Sequence, residues 1–216
     1  MKGAIMILIY SGGMDSTALL YEYMPQIKAA VTFRYGSKHS DKEVDCAAYH
    51  CIKNNINHVI IDLPFINDYF KSSLLESGGA IPDGHYQDDT MRSTVVPFRN
   101  GIMLSIAAGI AESIGAGSIL IANHAGDHAI YPDCRGTFIE HMSEAIKDGT
   151  YGGVKLLAPY TNLTKRDIAI RSPIDLSDHT WSCYKGGEVH CGVCGTCVER
   201  KEALYGLNDK TIYEVL

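Results

Sequence analysis

Apolar residues fall in short runs separated by amphipathic stretches. Residues 4–10, 29–34, 58–62, 118–123 and 155–158 are apolar runs of strand length. Between them, apolar positions recur at helical spacing over 15–23, 40–54, 99–113, 134–148 and 164–171. Strand and helix alternating in this order predict an α/β fold, a doubly wound parallel sheet with helices on both faces. A sheet of that kind binds ligands beyond the carboxyl ends of its strands, near a switch in strand order. Most of the polar clusters below sit just after a predicted strand.

Two stretches break the rhythm. Residues 64–93 carry Gly78-Gly79, Pro82-Asp83-Gly84 and Asp88-Asp89 with little periodicity, which predicts a long irregular loop able to act as a lid. From residue 178 onward Trp, Gly and Cys replace the regular pattern. A single domain over 1–216 is expected, with 178–216 as a small C-terminal cysteine segment and helix. The net charge of −6 is spread along the chain, and basic residues nowhere reach the density of a nucleic-acid groove. A small-molecule substrate is therefore expected, and no nucleic acid. No apolar run approaches the roughly 18 residues of a membrane span, so a soluble, cytoplasmic protein is expected.

The run SGGMDS, residues 11–16, follows the first predicted strand directly. Gly12 and Gly13 let the backbone turn and approach a ligand closely. The helix that follows offers unpaired N–H groups and the positive end of its dipole to an anion. Ser11, Ser16 and Thr17 add hydroxyls, so the loop has the makings of a phosphate cradle. Its plain alternative is a strand-to-helix turn capped by Asp15 or Ser16. No G-K-[ST] follows, so this is not a Walker A loop, and no lysine in it can reach a γ-phosphate.

Seven cysteines are an odd number for a disulfide framework, and Cys183, Cys191, Cys194 and Cys197 crowd into C-x7-C-x2-C-x2-C. Four thiolates at this spacing can close the tetrahedral site of a structural zinc. Gly186, Gly187, Gly192 and Gly195 supply turns between them. An iron–sulfur cluster is the competitor, although nothing like the continuing C-x3-C-P of ferredoxins follows Cys197. Cys46 and Cys51 do not share a helix face well and are read as core.

Three further segments are rich in polar groups. TVVPFRNG, residues 94–101, puts Arg99 and Asn100 at a helix start, where a guanidinium can grip a carboxylate or phosphate bidentately. ANHAGDHAIYPDCR, residues 122–135, gathers His124, His128, Asp127, Asp133 and Arg135. Asp133 is a candidate to accept from both N–H groups on the amidine edge of a guanine-like base. His124 and His128 make a poor metal pair, because a glycine lies between them and no third ligand is evident. FRYGSKHS, residues 33–40, presents Arg34, Lys38 and His39 after the second strand.

The glycine loop resembles that of the N-type ATP pyrophosphatases, which cleave ATP between its α and β phosphates. With it, YG-x-x-H at 35–39, P-x-R-N at 97–100, YPDCR at 131–135 and SCYKGG…CGVCGTC at 182–197 resemble the 7-cyano-7-deazaguanine synthase family in order and spacing. The resemblance implies an enzyme that uses ATP and Mg²⁺ to convert 7-carboxy-7-deazaguanine and ammonium to the nitrile, through an adenylated acid and an amide. It implies a nucleotide loop of Tyr10, Ser11, Gly12, Gly13, Met14, Asp15, Ser16 and Thr17, with Asp15, Ser16 and Arg99 in the chemistry. Arg99, Asn100, Asp133 and Arg135 would lie near the substrate, Zn²⁺ would sit on the four cysteines, and the enzyme would be a homodimer. Three alternatives stay open: a variant that stops at the amide or diverts the activated base, a tRNA-modifying ligase of the same superfamily, and a zinc-knuckle binding module. HAGDH stands where the family more often has C-E-T-D. The stretch 165–181 is a few residues short, with Ser172-Pro173 in place of a longer helix and a glycine.

Overall fold

The computed structural model describes residues 5–85 and 89–215; Ala4 of the first predicted strand and Asp88 of the Asp88-Asp89 turn lie outside the described residues. Five strands, β1 (Met6–Ile9), β2 (Ile27–Arg34), β3 (Asn57–Asp62), β4 (Ser118–Leu120) and β5 (Lys155–Leu157), form one sheet in the order β3-β2-β1-β4-β5. Every pairing is parallel, with Leu8 facing Ala30 on one side and Leu120 on the other. The order reverses at β1, whose neighbours β2 and β4 run off in opposite directions. That is the switch point where a doubly wound sheet opens a crevice.

Side-chain alternation along the strands decides which helix goes where. Ile7, Val31, Phe33, Ile119 and Leu156 point to the face covered by α4 (Arg99–Ser113) and α5 (Gly136–Gly149), against Leu104, Ala107, Ala111, Ile139 and Ile146. Met6, Leu8, Ala30 and Leu120 point the other way. They pack with α1 (Met14–Tyr23), α2 (Ser40–Lys53), α6 (Lys165–Arg171) and α7 (Gly195–Leu204) through Leu19, Ala47, Ile168 and Leu204. The strands bury apolar residues on both faces, which is why their sequences read as continuous apolar runs rather than as alternating ones.

The structure departs from the expected pattern in three places. The strand expected over 118–123 ends at Leu120, although the Ile121 amide still donates to the Leu157 carbonyl; Ala122 to His124 instead leave the sheet toward the crevice. Residues 64–93 are not structureless: α3 (Pro64–Tyr69) opens them and a 3₁₀ turn spans Asp89–Thr94. The middle of that stretch is fastened down as well. Leu75 bridges Ser37, the Lys38 amide donates to Leu74, and the Lys38 ammonium donates to the carbonyls of Ser73, Gly78 and Gly79. The described part of this loop is a docked flap. Lastly, α6 ends at Arg171, and a Ser172 turn followed by an Asp175–Ser177 turn carries the chain straight to buried Trp181. Among the described residues no helix is long and apolar enough to cross a membrane.

Candidate active site

The crevice at the β1 switch point is a cavity with the glycine loop at one end and Arg99 at the other. Gly12 adopts φ +80°, and its Cα presses on α2 so closely that a Cβ would stand 2.3 Å from the Glu43 carbonyl oxygen. Both facts demand glycine. Gly12→Ala is expected to destabilise the protein by about 2–4 kcal/mol. A lowered urea midpoint at unchanged m would record it. Gly13 is the N-cap of α1, its amide donating to the Ser11 hydroxyl, while Ser11 and Ser16 hydroxyls meet at 3.0 Å. Neither Asp15 nor Ser16 caps the helix. Thr17 turns inward to the Tyr10 hydroxyl and is fully buried, which makes it a brace beneath the loop.

Asp15 heads a cluster of charges beside this loop. Its Oδ2 lies 3.3 Å from Lys165 Nζ and 3.6 Å from His124 Nε2. Lys165 also reaches Glu199 at 2.8 Å, and His124 faces Asp127 at 3.6 Å. Burial works against the Lys165 charge, but Asp15 and Glu199 overcome it and hold the ammonium well above its usual range. Asp15 Oδ1 is buried and has no partner among the described residues, and the same holds for Asn123 Oδ1 of the same cavity wall. Buried acceptors left unpaired by the protein are uncommon. A bound cation, or a donor on a ligand, is what these two oxygens suit.

The other end of the cavity is built from Phe33, Tyr35, His39, Glu43, Arg99, Met103 and Tyr184. Arg99 donates to the Tyr35 hydroxyl at 3.0 Å and makes no ion pair among the described residues. Burial opposes its charge, while Tyr35, Tyr184 and Asp133 nearby favour it, and the guanidinium stays protonated.

The wall between the two ends belongs to the cysteine segment. The thiol sulfurs of Cys183, Cys191, Cys194 and Cys197 are buried and all lie within 4.8 Å of one another. Backbone amides of Cys191 and Cys194 point at the sulfurs of Cys183 and Cys191, as they do around bound thiolates. The set fits a four-coordinate metal such as zinc. Gly186 and Gly192 turn with φ +68° and +76°; Gly187 and Gly195 do not need positive φ. From this knot the Trp181 amide donates to Gly12 O and its indole to Cys183 O, while Asp83 and Gly84 of the flap pair with Cys194 and Val193. The cysteine segment therefore splints the glycine loop and the flap together.

The family model described as "Queuosine biosynthesis protein QueC" matches residues 5–208. The chain belongs to the QueC family. It is 57% identical over 213 residues to the 7-cyano-7-deazaguanine synthase of Porphyromonas gingivalis, covering 96% of each chain. It is 54% identical to that of Desulfotalea psychrophila, with 92% of each covered. An archaeal relative of the same name, from Methanoregula boonei, is 47% identical, with 96% of this chain and 98% of that one covered.

Within this QueC-family cavity the expected site residues separate. Tyr10, Ser11, Gly13, Met14, Asp15, Ser16, Arg99 and Asn100 line it. Asp133 and Arg135 do not. The Asp133 carboxylate accepts from the Asn100 amide at 2.8 Å and so clasps the start of α4, and Arg135 donates to the His128 carbonyl from an exposed position. Asn100 directs its own side-chain amide to Asp133 O and Cys134 Sγ. The YPDCR segment thus braces the site, and Cys134 is its member at the cavity. Of the basic residues at and just after the end of β2, Arg34 pairs with Asp62 at the sheet edge, Lys38 holds the flap, and only His39 lines the cavity. Lys165, Glu199 and Glu43 do not stand out in the sequence. Lys165 carried one usable signal, since it opens a helix shortly after a strand, behind the capping box of Thr164 and Asp167. Glu199, inside a cysteine-rich run, carried none.

Proposed function

We propose that this chain converts 7-carboxy-7-deazaguanine and ammonia to 7-cyano-7-deazaguanine, using ATP and releasing AMP and pyrophosphate. Membership of the QueC family supports the reaction. The single structural observation that carries it is one cavity joining the glycine loop to Arg99, which makes no ion pair among the described residues.

In this reading the loop from Ser11 to Ser16 holds the departing pyrophosphate, with the N-terminus of α1 and Lys165 facing its charge. Mg²⁺ suits the unpaired Asp15 Oδ1, and there it would neutralise phosphate oxygens. Arg99 receives the substrate carboxylate and presents it to the α-phosphate. The apolar wall of Phe33, Tyr35, Met103, Ile121 and Trp181 excludes water, so that ammonia and not hydroxide meets the activated carbon. Ammonia displaces AMP to leave the amide. A second adenylation, at the amide oxygen, followed by loss of AMP and a proton, leaves the nitrile. The four cysteines would hold Zn²⁺ with all four thiolates, and the ion would then serve the wall rather than the chemistry. We also read the enzyme as a cytoplasmic homodimer, which sedimentation and fractionation test.

Incubation of the protein with ATP, Mg²⁺, ammonium and the acid, followed by mass analysis of base and nucleotide, is expected to give the nitrile and AMP. An amide with AMP would mark an enzyme that stops half-way. ADP as the nucleotide product would overturn the proposal.

A further inference from the structure

Glu43 is the one carboxylate of the cavity that the charge cluster at the glycine loop does not engage. Asp15 faces Lys165 and His124, and Asp127 faces His124. Glu43 lines the same space from α2, and among the described residues the only basic group within ion-pair distance of it is His39, at 3.7 Å. Its own peptide carbonyl is what packs against Gly12, so its position is tied to the loop where the adenylate must form. His39 is only 3% exposed and lines the cavity wall beside Glu43. Its ring rests against Tyr184, 5.2 Å between centroids, which holds it in place.

Resting on the reaction proposed above, we infer that Glu43 is the proton acceptor that turns ammonium into the attacking ammonia, with the His39 ring fixed beside its carboxylate. Ammonium carries its proton at neutral pH and has no lone pair to attack with. One proton passes from it to the Glu43 carboxylate. The freed pair forms the C–N bond to the adenylated carboxyl carbon, and the C–O bond to AMP breaks with its electrons leaving on the phosphate. The nitrogen's second surplus proton follows onto that phosphate, and Glu43 returns its own to solvent before the next cycle. Burial pushes the Glu43 carboxyl up to about 8, close to the working range of a base at neutral pH, and an arriving cation favours its ionised form. Burial, reinforced by Arg99, holds His39 down at about 4, so the imidazole beside Glu43 is neutral.

Glu43→Gln keeps the shape and removes the acceptor. Three rates separate the possibilities: acid-dependent exchange of labelled pyrophosphate into ATP, amide formation from ammonium, and hydroxamate formation from hydroxylamine, which is largely neutral at neutral pH. The variant is expected to lose about 100-fold or more in the ammonium reaction, with exchange and hydroxamate formation within a few-fold of wild type. Equal loss of all three would overturn the assignment and place Glu43 with ATP or its metal; an undiminished ammonium rate would overturn it too. Glu43→Asp, which restores a carboxylate one methylene further back, is expected to regain part of the ammonium rate and serves if the glutamine variant does not fold. Failure of wild type to catalyse acid-dependent exchange would instead overturn the underlying reaction.

Discussion

Asp15→Asn is expected to lower AMP release by about 100- to 1000-fold while the protein stays folded. Asparagine matches aspartate in shape, so the turn into α1 survives. What disappears is the charge. Asp15 Oδ1 is buried without a protein partner, and Oδ2 lies 3.3 Å from Lys165. The substitution removes an anionic oxygen suited to a divalent cation and leaves Lys165 with Glu199 alone. A neutral amide cannot hold Mg²⁺ as a carboxylate does. Single-turnover release of AMP, measured beside the thermal midpoint, tests this. Turnover close to wild type would show that the loop's aspartate is merely structural and that the reaction needs no anionic oxygen at this position.

Cys194→Ser is expected to release the metal and to lower the thermal midpoint by about 10 °C, equivalent to roughly 3–5 kcal/mol in a chain of this size. Cys194 is fully buried, it caps α7, and its backbone pairs with Asp83 of the flap. Three thiolates cannot close a structural tetrahedral site. The consequence reaches the cavity, because Trp181 on the Gly12 carbonyl and Glu199 on Lys165 both hang from the cysteine segment. Metal analysis of the purified protein, a melting curve and the AMP assay are expected to change together. Full metal occupancy with an unchanged midpoint would show that the fourth thiol is dispensable.

The two variants act on one cavity from opposite directions. Asp15 lines the cavity itself, whereas Cys194 acts through the wall. A loss of turnover with intact stability in the first, and a loss of both in the second, distinguishes chemistry from scaffolding. Arg200 belongs to that scaffold. It is fully buried on α7 and donates to Thr180, Ser182, Thr211 and the carbonyls of Leu176 and Ser177, with neutral oxygens taking every bond. In this way the segment leading to Trp181 is laced to the helix that carries Glu199.

Much of this protein follows from local pattern alone. Apolar runs of strand length between amphipathic helices dictate a parallel sheet, because both faces of each strand must be covered and only crossover helices can do it. The SGGMDS turn and the C-x7-C-x2-C-x2-C spacing are equally local: a glycine's φ and a thiol's reach are settled within a few residues of chain. Tertiary structure decided the rest. Lys165 meets Asp15 across 150 positions of sequence, Glu199 arrives from a helix begun by the cysteine segment, and Glu43 comes beside Gly12 because two backbones fit together only without a Cβ. Asp133, which as a sequence reads like a base-binding carboxylate, instead caps α4, since the Asn100 amide at a buried helix start needs an acceptor. Whether a polar side chain serves a ligand or the fold depends on which buried groups compete for it, and that competition exists only once distant segments have packed.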